Sequence, residues 1–289
     1  MPRSVGTTIS AHTRLLAVLG HPVSHSLSPA IHNAALRSQG VDAVYLAFDV
    51  EPAALAQALD GLRAVRFWGA NVTVPHKERA AELVDSLDPL ALRVGAINTI
   101  VHQDGHIRGY NTDIAGFGAA LETVRSGGAA GSRCLVMGAG GAARAVVAAL
   151  TSGGAADVRI FNRTTGRAEQ LCRLTERWGG AQCEVAEAGD LSQIAAQVDV
   201  IVNATSVGLG SSVKESPIPV DILDSHHIVV DLVYGPKQTE LVRGALSRGA
   251  TALDGREMLV MQAASSYRLW TGRDAPIDVM RANVGKAGR

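Results

Sequence analysis

The chain has 289 residues, of which 47% are hydrophobic and 19% charged, and its formal net charge is +0. That length allows two modest domains with sizeable cores, and the balanced charge argues against nucleic-acid or membrane-surface partners. The polar stretch Met1–Arg14 lacks the apolar segment of a secretion signal, and no run is apolar for long enough to span a bilayer. The three cysteines, Cys134, Cys172 and Cys183, lack metal or redox spacing and read as reduced packing residues of a cytoplasmic protein.

Strands and helices alternate, which predicts an α/β fold with mostly parallel sheet. In chain order the expected elements are a strand over 15–19, a helix over 29–39, a strand over 43–49 and a helix over 53–62. A strand over 68–74, a helix over 77–83, strands over 96–102 and 105–110 and a helix over 114–124 follow. The small-residue segment 126–132 leads into a strand over 134–137, a helix over 141–152, a strand over 157–161 and a helix over 166–178. The remaining expected elements are strands over 199–203 and 228–232 and helices over 236–248 and 257–271.

The run Cys134–Ala145 passes from an apolar strand through glycines into an alanine-rich helix. Gly138 allows the tight turn, Gly140 lets backbone approach a pyrophosphate, and Ala143 permits close helix–strand packing. Free amides at the helix start then face the phosphates. Such turns also arise for packing alone, but the strand–turn–helix order favours a dinucleotide site. The next strand ends in Asn162-Arg163-Thr164-Thr165-Gly166-Arg167, where an NAD site usually has Asp or Glu. An arginine there can fork onto a 2′-phosphate, so the tip favours NADP over NAD, against the alternative of merely solvated arginines.

Four polar clusters lie at other strand ends and helix starts. In the first, Ser26 and Ser28 share a side of the loop before Pro29, with Ser28 as N-cap, and suit a carboxylate; a plain capped helix is the alternative. His21, His25 and His32 nearby lack a completing ligand set, so no metal is expected. In the second, Thr73 precedes Pro75 and Lys77 enters a first helical turn, where a cation costs roughly 0.3–1 kcal/mol against the helix dipole. A local rule broken at a strand tip points to function, unless Lys77 simply pairs with a surface carboxylate. The third places Asp113 at a helix start, with Asn98 one strand earlier; Asp113 is either a cap or the partner of Lys77 in proton transfer. The fourth is Gln262, a glutamine on an apolar helix face and either a structural residue or a ligand.

Together these motifs resemble the shikimate dehydrogenase family over nearly the whole chain. The resemblance rests on Ser26-Leu27-Ser28-Pro29 with His32-Asn33, Asn71–Lys77, Gly95–Thr99, Asn111-Thr112-Asp113 and Gly138–Ala142. It continues through Asn162-Arg163-Thr164, Asn203-Ala204-Thr205-Ser206, Tyr234 with Pro236, Gly255, Met258-Leu259 and Gln262-Ala263. Leu209 stands where the family often has methionine, a swap of similar volume.

The resemblance implies reversible, NADPH-dependent reduction of 3-dehydroshikimate to shikimate in aromatic amino-acid biosynthesis. It implies that Ser26 and Ser28 hold the substrate carboxylate and that Thr73, Asn98, Asp113 and Gln262 bind ring hydroxyls, with Tyr234 nearby. Lys77 and Asp113 are the implied catalytic pair. Gly138, Ala139, Gly140, Gly141 and Ala142 are implied at the pyrophosphate; Asn162, Arg163, Thr164 and Arg167 at the adenosine 2′-phosphate; Thr205, Leu232 and Gly255 elsewhere along the NADP(H) site.

The implied architecture has two α/β lobes with the active site between them. A substrate domain covers 1–113 plus 252–289, a Rossmann-type doubly wound NADP domain covers 114–251, and the C-terminal helix returns to the first lobe. Expected partners are the small-molecule substrate and cofactor, with a homodimer left open. The rivals are a quinate/shikimate dehydrogenase, whose NAD the Asn162-Arg163 tip argues against while leaving substrate breadth open, and a non-catalytic regulatory module on the same fold.

Overall fold

The computed structural model describes residues 9–178, 181–235 and 237–287. The chain divides into two compact units: Met1–Thr112 with Leu259–Arg289, and Asp113–Met258. The return to the first unit comes at Leu259 rather than at 252. A strand over Thr251–Asp254 completes the second sheet, and the opening turn of the following helix stays with it.

The first unit opens with β1 (Arg14–Gly20), α1 (Ser28–Ser38), β2 (Ala43–Asp49), α2 (Leu55–Ala64) and β3 (Gly69–Val72). It continues with α3 (Lys77–Leu83), β4 (Ser86–Leu87), α4 (Pro89–Val94), β5 (Thr99–Gln103) and β6 (His106–Tyr110). Its six-stranded sheet has the order β2-β1-β3-β5-β6-β4. The sheet is mixed: β1 runs parallel to β2 and β3, but β5 is antiparallel to both β3 and β6. The tight turn at Asp104-Gly105, both with positive φ, makes the β5–β6 hairpin and so breaks the parallel pattern. Leu19, Leu55, Phe67, Val72, Ile97, Ile100 and Ile107 fill the core on one side of this sheet.

The second unit contains α5 (Asp113–Glu122), β7 (Arg133–Met137), α6 (Gly141–Ser152), β8 (Asp157–Phe161) and α7 (Thr165–Glu176). β9 (Gln182–Val185), α8 (Leu191–Ala195), β10 (Val200–Asn203), β11 (Ile228–Asp231), α9 (Glu240–Ser247) and β12 (Thr251–Asp254) complete it. All six strands are parallel, in the order β12-β11-β10-β7-β8-β9. Such a sheet is covered on both faces, and its central strands read as continuous apolar runs; Leu135, Val136, Ile201 and Val202 are fully buried. The strand order reverses between β7 and β10, where an open α/β sheet leaves a crevice for ligands.

Two helices close the chain, α10 (Gly255–Thr271) and α11 (Ile277–Ala287), and α11 packs on α1 in the first unit. The helix expected over 236–248 is the shorter α9, because Thr239 caps it by accepting the Val242 amide at 3.3 Å. Pro236, its expected start, lies outside the described residues.

Candidate functional site

In the first unit the candidate groups gather at the ends of β1 and β3 and at the start of α1 and α3. Ser28 is the first residue of α1, not its N-cap. The Ser26 hydroxyl accepts the Ser28 amide at 3.3 Å, and this local turn holds Leu27 in helical backbone geometry, which moves the helix start forward by one residue. Ser26 is half-buried and Ser28 buried. Thr73 follows β3, with its amide on Leu19 O at 2.9 Å. A side chain at Gly20 would meet the Thr73 methyl at 2.5 Å, so the glycine admits this close crossing of two strand ends.

Lys77 is the first residue of α3 and half-buried. Its carbonyl accepts the Ile97 amide at 2.9 Å. The next residue, Asn98, is buried and grips Thr112 through three contacts. Its Oδ1 accepts the Thr112 amide at 2.7 Å and hydroxyl at 3.1 Å, and its Nδ2 lies 2.9 Å from Thr112 Oγ1. Two consecutive residues therefore hold the backbone of Lys77 on one side and of Thr112 on the other. Asp113 follows Thr112 directly and starts α5, buried at the helix N-terminus, where its negative charge is favoured.

Asn98 belongs to a larger polar network that sequence reading missed. Its Nδ2 donates to Gln262 Oε1 at 3.2 Å, and Gln262 Nε2 donates to Leu259 O at 2.9 Å. Ser266, one helical turn after Gln262, lies 2.8 Å from Thr99 Oγ1 and 3.1 Å from Thr112 Oγ1. Asn71 Nδ2 donates to Ser266 Oγ at 3.1 Å, and Asn71 Oδ1 accepts the Tyr45 hydroxyl at 2.6 Å. These buried polar groups satisfy one another, as a low-dielectric interior requires. Gln262 thus ties α10 to Asn98, the residue just before β5. The signal available in the sequence was the polar residues Asn71, Thr99 and Ser266 in otherwise apolar elements.

His32 takes a different part. It is fully buried, stacked on Tyr45 at 4.4 Å between ring centroids, and neither ring nitrogen has a hydrogen-bond partner among the described residues. Burial pushes its pKa down to about 3, so the ring is neutral. His21 instead faces Asp49, with Nδ1 and Oδ1 2.7 Å apart.

In the second unit, β7 ends at the crevice beside β10. Gly138 has φ +112°, and a Cβ there would sit 2.9 Å from Ala204 O, so both conformation and space demand glycine. At Gly140 a Cβ would meet nothing within 4 Å, which leaves the turn open to a ligand. Gly140 is the N-cap of α6, and no side chain caps that end. The amides around Ala139, Gly141 and Ala142 therefore offer a cradle for a pyrophosphate. Ala143 is fully buried, where the close packing of α6 on the sheet needs a small residue. These features fit a dinucleotide.

Just past β8, Asn162 Nδ2 donates to Thr164 O at 2.9 Å and shapes the tip from which Arg163 projects. Arg163, Thr164 and Arg167 are exposed. The segment from Asn162 to Arg167 contains no carboxylate to repel a phosphate.

Past β10, Asn203 Oδ1 accepts both the amide and the hydroxyl of Thr205, at 3.0 and 2.7 Å. Its Nδ2 donates to Asp231 Oδ1 at 2.8 Å. Asp231 also accepts the Val233 amide at 3.0 Å and the Thr239 hydroxyl at 2.6 Å. Burial pushes the Asp231 carboxyl up, against the pull of these donors. Asp231 escaped sequence reading, although an acid ending the apolar strand Ile228–Asp231 was its signal.

The loops after β10 and β11 are thereby fixed, and Leu232 and Tyr234 with them. A side chain at Gly255 would meet Leu232 O at 2.2 Å and the Tyr234 ring at 3.1 Å, so the start of α10 can only lie here as glycine. Burial, and then the charge of Asp113, push the Tyr234 phenol up to about 12. The phenol stays protonated and able to donate.

Three family models match the chain in sequence. The shikimate dehydrogenase substrate binding domain matches 18–100, the shikimate/quinate 5-dehydrogenase model 121–216, and the shikimate 5′-dehydrogenase C-terminal domain 255–284. The chain is 46% identical to the NADP(+) shikimate dehydrogenase of Moorella thermoacetica over 94% of its own length and 92% of the relative's. It is also similar to the crystal structure of Thermus thermophilus shikimate 5-dehydrogenase in complex with NADP(H) and shikimate. That match has a TM-score of 0.85 and 38% identity and covers 95% and 100% of the two chains. The quinate dehydrogenase of Corynebacterium glutamicum in complex with NAD shares the fold at a TM-score of 0.86, with 32% identity over 95% and 99% of the two chains. With a relative 46% identical over nearly the whole of both chains, the chain belongs to the shikimate dehydrogenase family.

Proposed function

We propose that Lys77 and Asp113 carry the proton chemistry of this chain, which catalyses the reversible, NADPH-dependent reduction of 3-dehydroshikimate to shikimate. The observation that carries this reading is the bracket Ile97-Asn98, which binds the Lys77 carbonyl and the Thr112 amide and so fixes the backbone on which each catalytic group stands.

The glycine turn Gly138–Ala142 holds the pyrophosphate, Asn162, Arg163, Thr164 and Arg167 the 2′-phosphate, and Thr205, Leu232 and Gly255 the nicotinamide half. When bound, NADPH supplies a hydride to the ring carbonyl carbon. The carbonyl oxygen gains negative charge as the new C–H bond forms. Lys77 offers that oxygen a positive partner and a proton, and Asp113 orients the hydroxyl that results. Tyr234, protonated beside Asp113, and Thr73 donate to ring oxygens. Asn98 and Gln262, whose amides are engaged with each other, Thr112 and Leu259, set the wall of the ring subsite. The Asn162-Arg163 tip favours NADP over NAD. Among the described residues no helix is long and apolar enough to cross a membrane.

Ser26 and Ser28 hold the substrate carboxylate. Replacing both, as Ser26→Ala with Ser28→Ala, is expected to raise the KM for shikimate about a hundredfold or more, since hydrogen bonds to a charged group are worth about 1.5–3 kcal/mol each. The KM for the uncharged methyl ester should change little. Steady-state kinetics on the two substrates decide this. An equal rise for acid and ester would remove the serines from the carboxylate.

A further inference from the structure

Cys172 on α7 and Cys183 on β9 stand eleven positions apart in the chain, and the fold brings their sulfurs to 2.8 Å. Non-bonded carbons, smaller than sulfur, rest about 3.5–4.0 Å apart. Two thiols closer than that are nearly in bonding register. β9 is the edge strand of the second sheet, beside β8, and α7 packs against it. The two cysteines therefore join the helix that follows the Asn162–Thr164 tip to the strand flanking it.

We propose that Cys172 and Cys183 are a redox modification site that closes reversibly into an intramolecular disulfide by exchange with a low-molecular-weight disulfide such as oxidised glutathione. Cys183 is the more exposed of the two, and it is the attacking group. The hydrogen bond with Cys172 holds Cys183 below the usual thiol range, against the cost of burial and with help from Thr175. The hydrogen bond to Cys183, together with burial, holds Cys172 above that range. Only the thiolate attacks.

In the first step the Cys183 thiolate bonds to one sulfur of the small disulfide and expels the other as a thiolate. In the second, Cys172 loses its proton, attacks the Cys183 sulfur and expels the second small thiol. The protein loses two hydrogens and two electrons, and one disulfide is reduced to two thiols. Disulfides that do form in reducing compartments are usually of this transient kind. Cys134 takes no part: it is fully buried in β7, and burial pushes its thiol up to about 11.

The test incubates the whole protein in glutathione buffers of graded oxidation, then denatures, alkylates and maps peptides by mass spectrometry. The expected result is a linked peptide pair joining Cys172 to Cys183, lighter by two hydrogens than the separate peptides, with Cys134 alkylated. The linked form should melt about 5 °C higher than the reduced one, as a short loop closed without strain predicts. In Cys172→Ser, the glutathione adduct should accumulate on Cys183. Full alkylation of both cysteines after the most oxidising buffer would overturn the proposal. So would a linked form that melts below the reduced one, because the sulfurs would then have to be dragged into place.

Discussion

Lys77→Ala is expected to lower kcat by about 10²–10⁴-fold, the range for removal of a positioned acid–base group, while shikimate affinity changes only a few-fold. The Lys77 carbonyl accepts the Ile97 amide, and alanine keeps that backbone bond. Alanine also suits a helix start at which a cation opposes the dipole. The loss then falls on the step in which charge develops on the ring oxygen. Steady-state kcat and KM, with shikimate binding measured separately, check this. An unchanged kcat would take Lys77 out of the mechanism.

Arg163→Ala is expected to weaken NADPH binding by about ten- to a hundredfold and to leave NADH within about threefold of the parent. A charge-assisted fork on a phosphate is worth roughly 1.5–3 kcal/mol, and only NADPH carries the 2′-phosphate. Arg163 is exposed and Asn162 shapes the tip without it, so the strand end should survive the change. Because the contact is exposed, the gap between variant and parent should narrow as salt rises. Fluorescence titration of both cofactors at two ionic strengths measures this. Equal weakening of NADPH and NADH would refute the assignment to the 2′-phosphate.

The glycine turn and the Lys77 and Asp113 helix starts were legible in the sequence because each is local. A turn that needs glycine, or a charge at a helix end, declares itself within a few residues. The elements that escaped are short or ambiguous in period. β4 has two residues, and α4 is a six-residue helix whose Asp88 cap accepts the Ala91 amide. β9 is an edge strand with no fully buried residue, and so lacks the apolar run that marks its neighbours. α11 follows the long α10, where the expected elements end.

Features formed by tertiary contact could not be read at all. The chain Tyr45–Asn71–Ser266–Thr112–Asn98–Gln262 draws on five separate parts of the molecule, and each member alone resembles an ordinary polar residue. The same holds for Cys172 and Cys183, whose spacing suggested no pairing until α7 was laid against β9. Ser28 shows the reverse case. Its type and position suited an N-cap, but the hydroxyl two residues earlier took the amide first, and the helix began with Ser28 itself.

The most direct test of the function is the initial rate of reduction of NADP⁺ by shikimate, followed by absorbance at 340 nm, run beside NAD⁺ and beside quinate. Rapid turnover of shikimate with NADP⁺, well above that with NAD⁺, is the predicted result, with the quinate rate setting the substrate breadth. Comparable rates with NAD⁺, or NADP⁺ binding without turnover, would contradict it.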